Sequence, residues 1–123
     1  MSREVLFRAK TKAANEWAYG YFAEQYDVPQ IYAGSGHECV YENTLCQYTG
    51  LVDKNGTKIF EDDILRVNYH GHEVGRVCIY YKYAMYLCSI IYGDIDFDTL
   101  GMLNANYQIE VIGNVYDNPE MVS

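Results

Sequence analysis

Residues 44–64, TLCQYTGLVDKNGTKIFEDDI, form the stretch that decides how the rest of the chain is interpreted. Asn55-Gly56 at its centre is the strongest turn signal in the sequence, because both residues reach the positive φ of a type I′ turn at low steric cost. The pair Leu51-Val52 precedes this turn, and Ile59-Phe60 follows it. The pattern predicts a tight or slightly bulged β-hairpin.

Short segments with strand character lie on both sides of this hairpin. Alternating, aromatic or β-branched stretches separated by Gly, Pro, Asn and Asp are typical of strands and turns. The predicted strands are 4–10, 17–26, 30–33, 37–41, 64–69, 75–83, 85–92 and 107–116. We expect the first two to pair as a hairpin, residues 42–45 to form one helical turn capped by Asn43, and residues 93–102 to form an acidic loop. This spacing of short strands favours a small barrel or roll.

The central stretch also carries a family resemblance. QYTGLVDKNGTKIFEDDIL, residues 47–65, resembles the signature of the YopX family, small proteins carried by bacteriophages and prophages. Residues 3–8, 16–20 and 110–120 resemble the opening and closing patterns of the same family, so the likeness extends over essentially the whole chain. One departure is Asp62, where the family pattern has Gly, and this argues against a positive-φ turn at that position.

The resemblance implies a mainly β protein whose C-terminal half is an SH3-like barrel or roll, and it implies no established biochemical activity. We predict an N-terminal β-hairpin and irregular segment over residues 1–43 and the SH3-like part over residues 44–123. The chain has 123 residues, which fits one domain, so we expect the two parts to form one compact unit.

Composition restricts where the protein acts and what it binds. No apolar run approaches the ~20 residues of a membrane helix, and Met1–Lys10 lacks the apolar block of a signal peptide. We therefore expect no membrane partner and a cytoplasmic location, which for a phage protein is the host cytoplasm. The net charge of −8 argues against nucleic-acid binding. Arg3, Arg8, Lys10 and Lys12 form a basic strip that we interpret as the solvated face of an edge strand.

The sequence contains no convincing metal or cofactor site. Cys39, Cys46, Cys78 and Cys88 form no C-x-x-C pair, and we interpret them as reduced, small buried hydrophobes. Asp94-x-Asp96-x-Asp98 resembles the start of a calcium loop, but Thr99 and Ala105 stand where that loop needs Gly and Glu. His70-Gly-His72 is typical of a polar hairpin tip, and His37-x-Cys39 is a similarly weak pair. We therefore predict no cofactor and no metal.

No catalytic constellation is evident, so we expect a non-enzymatic phage accessory protein that binds a host or phage protein. The chain has fourteen tyrosines, more than a sheet core needs, and tyrosine suits interfaces. Residues 77–92 are apolar on both faces, which makes a second layer or a homo-oligomer plausible. The candidate binding residues are Trp17, Tyr19, Tyr80 and Tyr86.

Two other functions stay open. The alternative is a small nucleic-acid-binding barrel that uses the basic strip and the aromatic face of Trp17, Tyr19 and Tyr21. A third hypothesis is catalysis, which would require convergence of His37, Cys39, His70, His72 and the acidic loop.

Overall fold

A computed structural model describes residues 4–122. The fold is mainly β, as predicted, with antiparallel sheets and one short α-helix. The strands are β1 Phe7–Lys10, β2 Trp17–Gln25, β3 Val28–Ala33, β4 Gly36–Cys39, β5 Cys46–Val52, β6 Lys58–Phe60, β7 Asp63–Tyr69, β8 His72–Lys82, β9 Met85–Gly93 and β10 Gln108–Asn114. The helix α1 is Leu100–Asn106, and 3₁₀ turns lie at Glu42–Thr44 and Pro119–Met121.

The chain divides into two compact units, the first ending at Gly50 and the second beginning at Leu51. This boundary lies inside β5, and the division at residues 43 and 44 stays a prediction. Strand β5 therefore starts in the first unit and continues into the second. That residues 1–43 and 44–123 form one compact unit stays a prediction.

The first unit is an antiparallel sheet in the order β4-β3-β2-β1-β5. Strands β1 and β2 pair as the expected hairpin, with Phe7 opposite Gly20 and Lys10 opposite Trp17. On its other side β1 pairs with Cys46 and Gln47 of β5. The core is small: Ala9, Ile31 and Val40 are buried, and half-buried Phe22 and Leu45 pack against them.

The second unit contains a four-stranded antiparallel sheet in the order β10-β7-β8-β9, which does not close on itself within residues 4–122. One face of this sheet and helix α1 enclose the larger core. Its buried members are Ile59, Leu65, Val67, Val77, Ile79, Cys88, Ile95, Leu100, Leu103 and Ile109.

The central hairpin forms with a bulged loop and not with a type I′ turn. Of the two turn residues only Gly56 has a positive φ, at +83°. The Gly56 N–H donates to the Asp53 carbonyl at 3.0 Å, and the Asp53 N–H donates to the Thr57 carbonyl at 2.9 Å. This is the pattern of a three-residue hairpin loop in which Gly supplies the left-handed position.

Asp62 does adopt a positive φ, +67°, although its side chain argued against this. The Tyr116 hydroxyl donates to Asp62 Oδ2 at 2.9 Å. Asp is one of the few L-residues that enter the left-handed region readily. The left-handed turn at this position is therefore made with Asp.

Two other local predictions need correction. Part of the expected acidic loop 93–102 belongs to helix α1, in which the Thr99 hydroxyl accepts a hydrogen bond from the Met102 N–H at 3.3 Å. The helical turn at Glu42–Thr44 is present, but its N-cap is Tyr41 and no side chain caps it, so the role given to Asn43 is wrong. Within residues 4–122 no helix has the length and apolar character needed to cross a membrane.

Candidate functional site

The four predicted binding residues are divided between the two units. Trp17 and Tyr19 lie on β2 in the first unit, Tyr80 lies on β8 and Tyr86 on β9 in the second. Tyr19 and Tyr80 are exposed, whereas Trp17 and Tyr86 are half-buried. Tyr19 and Tyr80 are therefore the two with the most surface to offer a partner.

Trp17 contacts basic residues of its own unit. The Arg8 Cζ lies 4.4 Å and the Lys10 Nζ 4.7 Å from the centroid of the indole ring. Both basic side chains are buried, with Arg8 only 5% and Lys10 9% exposed. Cation–π attraction, packing of the aliphatic stems and, for Lys10, a hydrogen bond from Nζ to the Asn15 carbonyl at 3.5 Å offset part of the cost of taking these charges out of water.

The interpretation of the basic strip as a solvated edge face is consequently wrong. Strand β1 lies inside the sheet, between β2 and β5. Arg8 and Lys10 are covered and do not present their charges to a phosphate backbone.

The β8–β9 hairpin has a core-facing side and a solvent-facing side. Tyr86 packs against the core of the second unit, and its ring lies 4.9 Å from that of Tyr81. Tyr80 precedes Tyr81 on β8 and is paired with Leu87 of β9. Because adjacent residues of a strand project from opposite faces, Tyr80 lies on the solvent-facing side. That face lines an open groove of about 650 Å³ whose walls include Cys78, Tyr80, Ile91 and Val115.

Large apolar side chains are exposed along this hairpin and at its tip. We call Tyr80, Tyr81, Tyr83, Met85 and Ile90 the hairpin surface; all five are exposed. The turn that joins the strands consists of Tyr83 and Ala84, both in the left-handed region, with φ of +56° and +60°. Neither Tyr nor Ala favours the left-handed conformation, so the backbone of this turn is strained.

The four thiols have different environments. Cys46 and Cys88 are buried and Cys78 is half-buried, but Cys39 is exposed, so its interpretation as a buried hydrophobe is wrong. Burial, reinforced by the negative charge of Asp62, raises the pKa of Cys78 to about 11. Burial, reinforced by Asp98, raises the pKa of Cys88 to about 12. Both thiols stay protonated at neutral pH, which makes them poor nucleophiles and poor metal ligands.

The predicted histidine pairs contact their neighbours. His37 is hydrogen-bonded through Nδ1 to Gln30 and stacks on Tyr32 with ring centroids 5.2 Å apart. His70 packs edge-on against Tyr69 at 4.2 Å. No group of three His, Cys, Asp or Glu side chains within residues 4–122 has the arrangement needed to hold a metal ion.

Several acidic and amide residues of the family-like stretches form hydrogen bonds that fix turns. Asp53 is 6% exposed; its Oδ1 accepts from the N–H groups of Asn55 (2.8 Å) and Thr57 (2.9 Å), and its Oδ2 accepts from Val111 (2.9 Å). Asp63 is buried, and its Oδ2 accepts from the Phe60 N–H at 2.8 Å.

The stretch 110–120, which carries the closing part of the family resemblance, also contains a side chain whose hydrogen bonds fix a turn. Asn114 is buried, and its Oδ1 accepts from the N–H groups of Tyr116 (3.0 Å) and Asp117 (2.9 Å). These side chains hold the turns of the second unit in place.

Comparison with known proteins agrees with this arrangement. Among solved structures, the crystal structure of protein EF1440 from Enterococcus faecalis matches with a TM-score of 0.58 and 23% identity, over 99% of this chain and 100% of that chain. Identity at this level shows the fold alone. No curated protein matches the chain. The model of the YopX protein family matches residues 6–123, nearly the whole chain, and the protein belongs to the YopX family.

Proposed function

We propose that this protein is a non-enzymatic accessory protein of a phage or prophage that binds another protein through the hairpin surface. The observation that carries the proposal is the exposure of five large apolar side chains on two adjacent strands and their turn. These side chains lie on both faces of the hairpin and at its tip; groups of exposed apolar side chains mark interaction sites, and tyrosine and methionine are enriched in interfaces.

The charge and the thiols support a protein partner over the other candidates. The net charge of −8 opposes contact with nucleic acid, and the buried Arg8 and Lys10 remove two of the four charges of the basic strip. The raised pKa values of Cys78 and Cys88 oppose cysteine catalysis. The partner we propose is a protein of the host cytoplasm or of the phage, and self-association through the same surface is a version of this proposal.

We also propose that the second unit is related to SH3-like rolls. Short antiparallel strands and hairpin connections through β7, β8 and β9 support this relationship. Rolls of this type present loops and edge strands to their partners, which agrees with binding at the β8–β9 hairpin.

Affinity capture from phage-infected cells, with and without nuclease, tests the proposed function. We compare the tagged protein with its Tyr80→Arg variant, which places a charge in the hairpin surface. A direct partner should survive nuclease treatment, and its affinity for the variant should fall about 30-fold, as for an interface hot spot. Light scattering of the pure unchanged protein and of the pure Tyr80→Arg variant measures self-association.

The matched control is Tyr21→Arg, the same change at an exposed tyrosine of β2. It should bind like the unchanged protein, and both variants should keep the original circular dichroism. Loss of binding with Tyr21→Arg alone, or partners that vanish with nuclease, would overturn the proposal.

A further inference from the structure

A second cavity in the second unit combines aromatic walls with carboxylates. It has a volume of about 370 Å³, at the small end of the range for ligand pockets. Its walls come from the end of β7, from β8, from the loop after β9 and from the end of α1. The lining residues are Tyr69, Val74, Asp94, Asp96, Phe97, Asn106 and Tyr107. We call it the aromatic cavity.

Three rings of this cavity stand at steep angles to one another. Tyr107 is flanked by Tyr69, at a centroid distance of 5.8 Å and an interplanar angle of 65°. Phe97 flanks it too, at 6.2 Å and 70°. Rings arranged in this way form non-parallel walls, the arrangement in which aromatic cages receive an organic cation.

Asp94 and Asp96 are held beside these rings by an anchored loop. Ile95 between them is buried in the core, which leaves both carboxylates exposed. At the start of the loop Gly93 passes so close to β8 that a Cβ on it would lie 2.3 Å from the Val74 carbonyl oxygen. At the end, the Cys88 N–H donates to the Asp98 carbonyl at 2.7 Å.

The two carboxylates lack a cationic partner among the residues that the structure describes. Within residues 4–122 neither Asp94 nor Asp96 has an ion pair or a side-chain hydrogen bond, and no Lys or Arg lines the cavity. Arg66 and Arg76 of the same sheet are paired with Glu73. The cavity therefore combines ring faces and uncompensated negative charge.

We propose that the aromatic cavity binds a methylated ammonium cation, by which we mean a trimethylammonium group or a methylated lysine. Ring faces attract the diffuse positive charge, the methyl groups gain dispersion contacts, and the two carboxylates add Coulomb attraction. A hard divalent cation is a poorer match because calcium takes six to eight oxygen ligands. This site is separate from the hairpin surface, so it extends the proposed function and does not depend on it.

The test is a titration of the full-length protein followed by two-dimensional NMR and calorimetry. Choline is compared with 3,3-dimethyl-1-butanol, the neutral molecule of the same shape. Choline should shift the amide signals of residues 69, 97 and 107, and the alcohol should bind at least about five-fold more weakly because it lacks the charge. Equal binding of the two, or no binding of any cation tested, overturns the proposal.

A peptide carrying trimethyllysine distinguishes the source of the cation. If both choline and the peptide bind, the cavity accepts free cations as well as a methylated lysine. If only the peptide binds, the cavity takes a cation that is carried by a protein. An unmethylated lysine peptide is the control, and it should bind more weakly because its ammonium holds its hydration more strongly.

Variants locate the binding. Phe97→Leu keeps an apolar side chain but removes a ring, and Asp96→Asn removes a charge at an exposed position whose carboxylate makes no hydrogen bond within residues 4–122. Each should weaken choline binding by about five-fold, and the effect of Asp96→Asn should shrink with added salt. Asp98→Asn, on the same loop but outside the cavity, should leave it unchanged. If Asp96→Asn and Asp98→Asn weakened choline binding equally, choline would be responding to the overall negative charge of the protein. That result would overturn the proposal of a site in the aromatic cavity.

Discussion

At the scale of single residues, the buried carboxylate of Asp53 connects two parts of the chain that are distant in sequence. It accepts two N–H groups of its own hairpin loop and one from Val111 of β10. A carboxylate that accepts several backbone N–H groups is strongly stabilising, because a hydrogen bond to a charged acceptor is stronger than one to a neutral acceptor. The loop and β10 are therefore expected to lose order together when this side chain is removed.

Asp53→Ala should lower the free energy of unfolding by about 2–4 kcal/mol, because it leaves three N–H groups without their acceptor. Urea denaturation measures this loss, and hydrogen exchange should show faster exchange of the Thr57 and Val111 amides. Asp98→Ala removes an exposed carboxylate and should change stability by less than about 0.5 kcal/mol. Similar losses in the two variants would contradict the role given to Asp53.

At the scale of elements, the turns show what local sequence can and cannot predict. The hairpin at Asn55-Gly56 was predictable because Gly reports a left-handed position directly. The β8–β9 turn at Tyr83-Ala84 was not, because neither residue favours positive φ and the pairing of the two long strands imposes it. Helix α1 was missed since seven residues with one threonine cap leave too short a pattern for a helical period.

The aromatic cavity escaped sequence analysis for a related reason. Its residues are spread from Tyr69 to Tyr107, and only the antiparallel order β10-β7-β8-β9 brings them together. From the sequence, the acidic residues of its loop are recognisable only as an incomplete calcium-binding motif. Of the four predicted binding residues, Tyr80 lies on the hairpin surface, and no local pattern distinguished it from half-buried Tyr86.

Ala84→Gly should stabilise the protein by about 0.5–1 kcal/mol, because Gly relieves the strain of the left-handed conformation. The larger conformational entropy of Gly in the unfolded chain cancels only part of this gain. The melting temperature should rise by about 4 °C. Ala105→Gly is the matched control, since the same change in the last turn of α1, where φ is not left-handed, should destabilise the protein by up to about 1 kcal/mol. A loss of stability in both variants would show that the β8–β9 turn is not strained.

At the scale of the whole molecule, the two units have cores of very different size. Within the described chain, the first has three buried apolar residues in its core cluster and the second has ten. Each buried Val, Leu or Ile side chain contributes about 1.5–3 kcal/mol, so the first unit has much less with which to offset the entropy of folding. The predicted division at residues 43 and 44 makes this difference testable.

The fragment 1–43 should be unfolded on its own, because it has the small core and lacks the strand residues Cys46 and Gln47 with which β1 pairs. A chain of this length is close to the limit of about 40 residues below which domains need disulfides or metals. The fragment 44–123 keeps β5 to β10, α1 and the ten-residue core, so it should melt cooperatively, at a lower temperature than the full chain. Thermal melts by circular dichroism and the dispersion of amide NMR signals measure both. A well-dispersed spectrum for 1–43 would mean that its hydrogen-bonded sheet suffices without a large core, and a disordered 44–123 would mean that the ten-residue cluster forms only when the N-terminal strands are present.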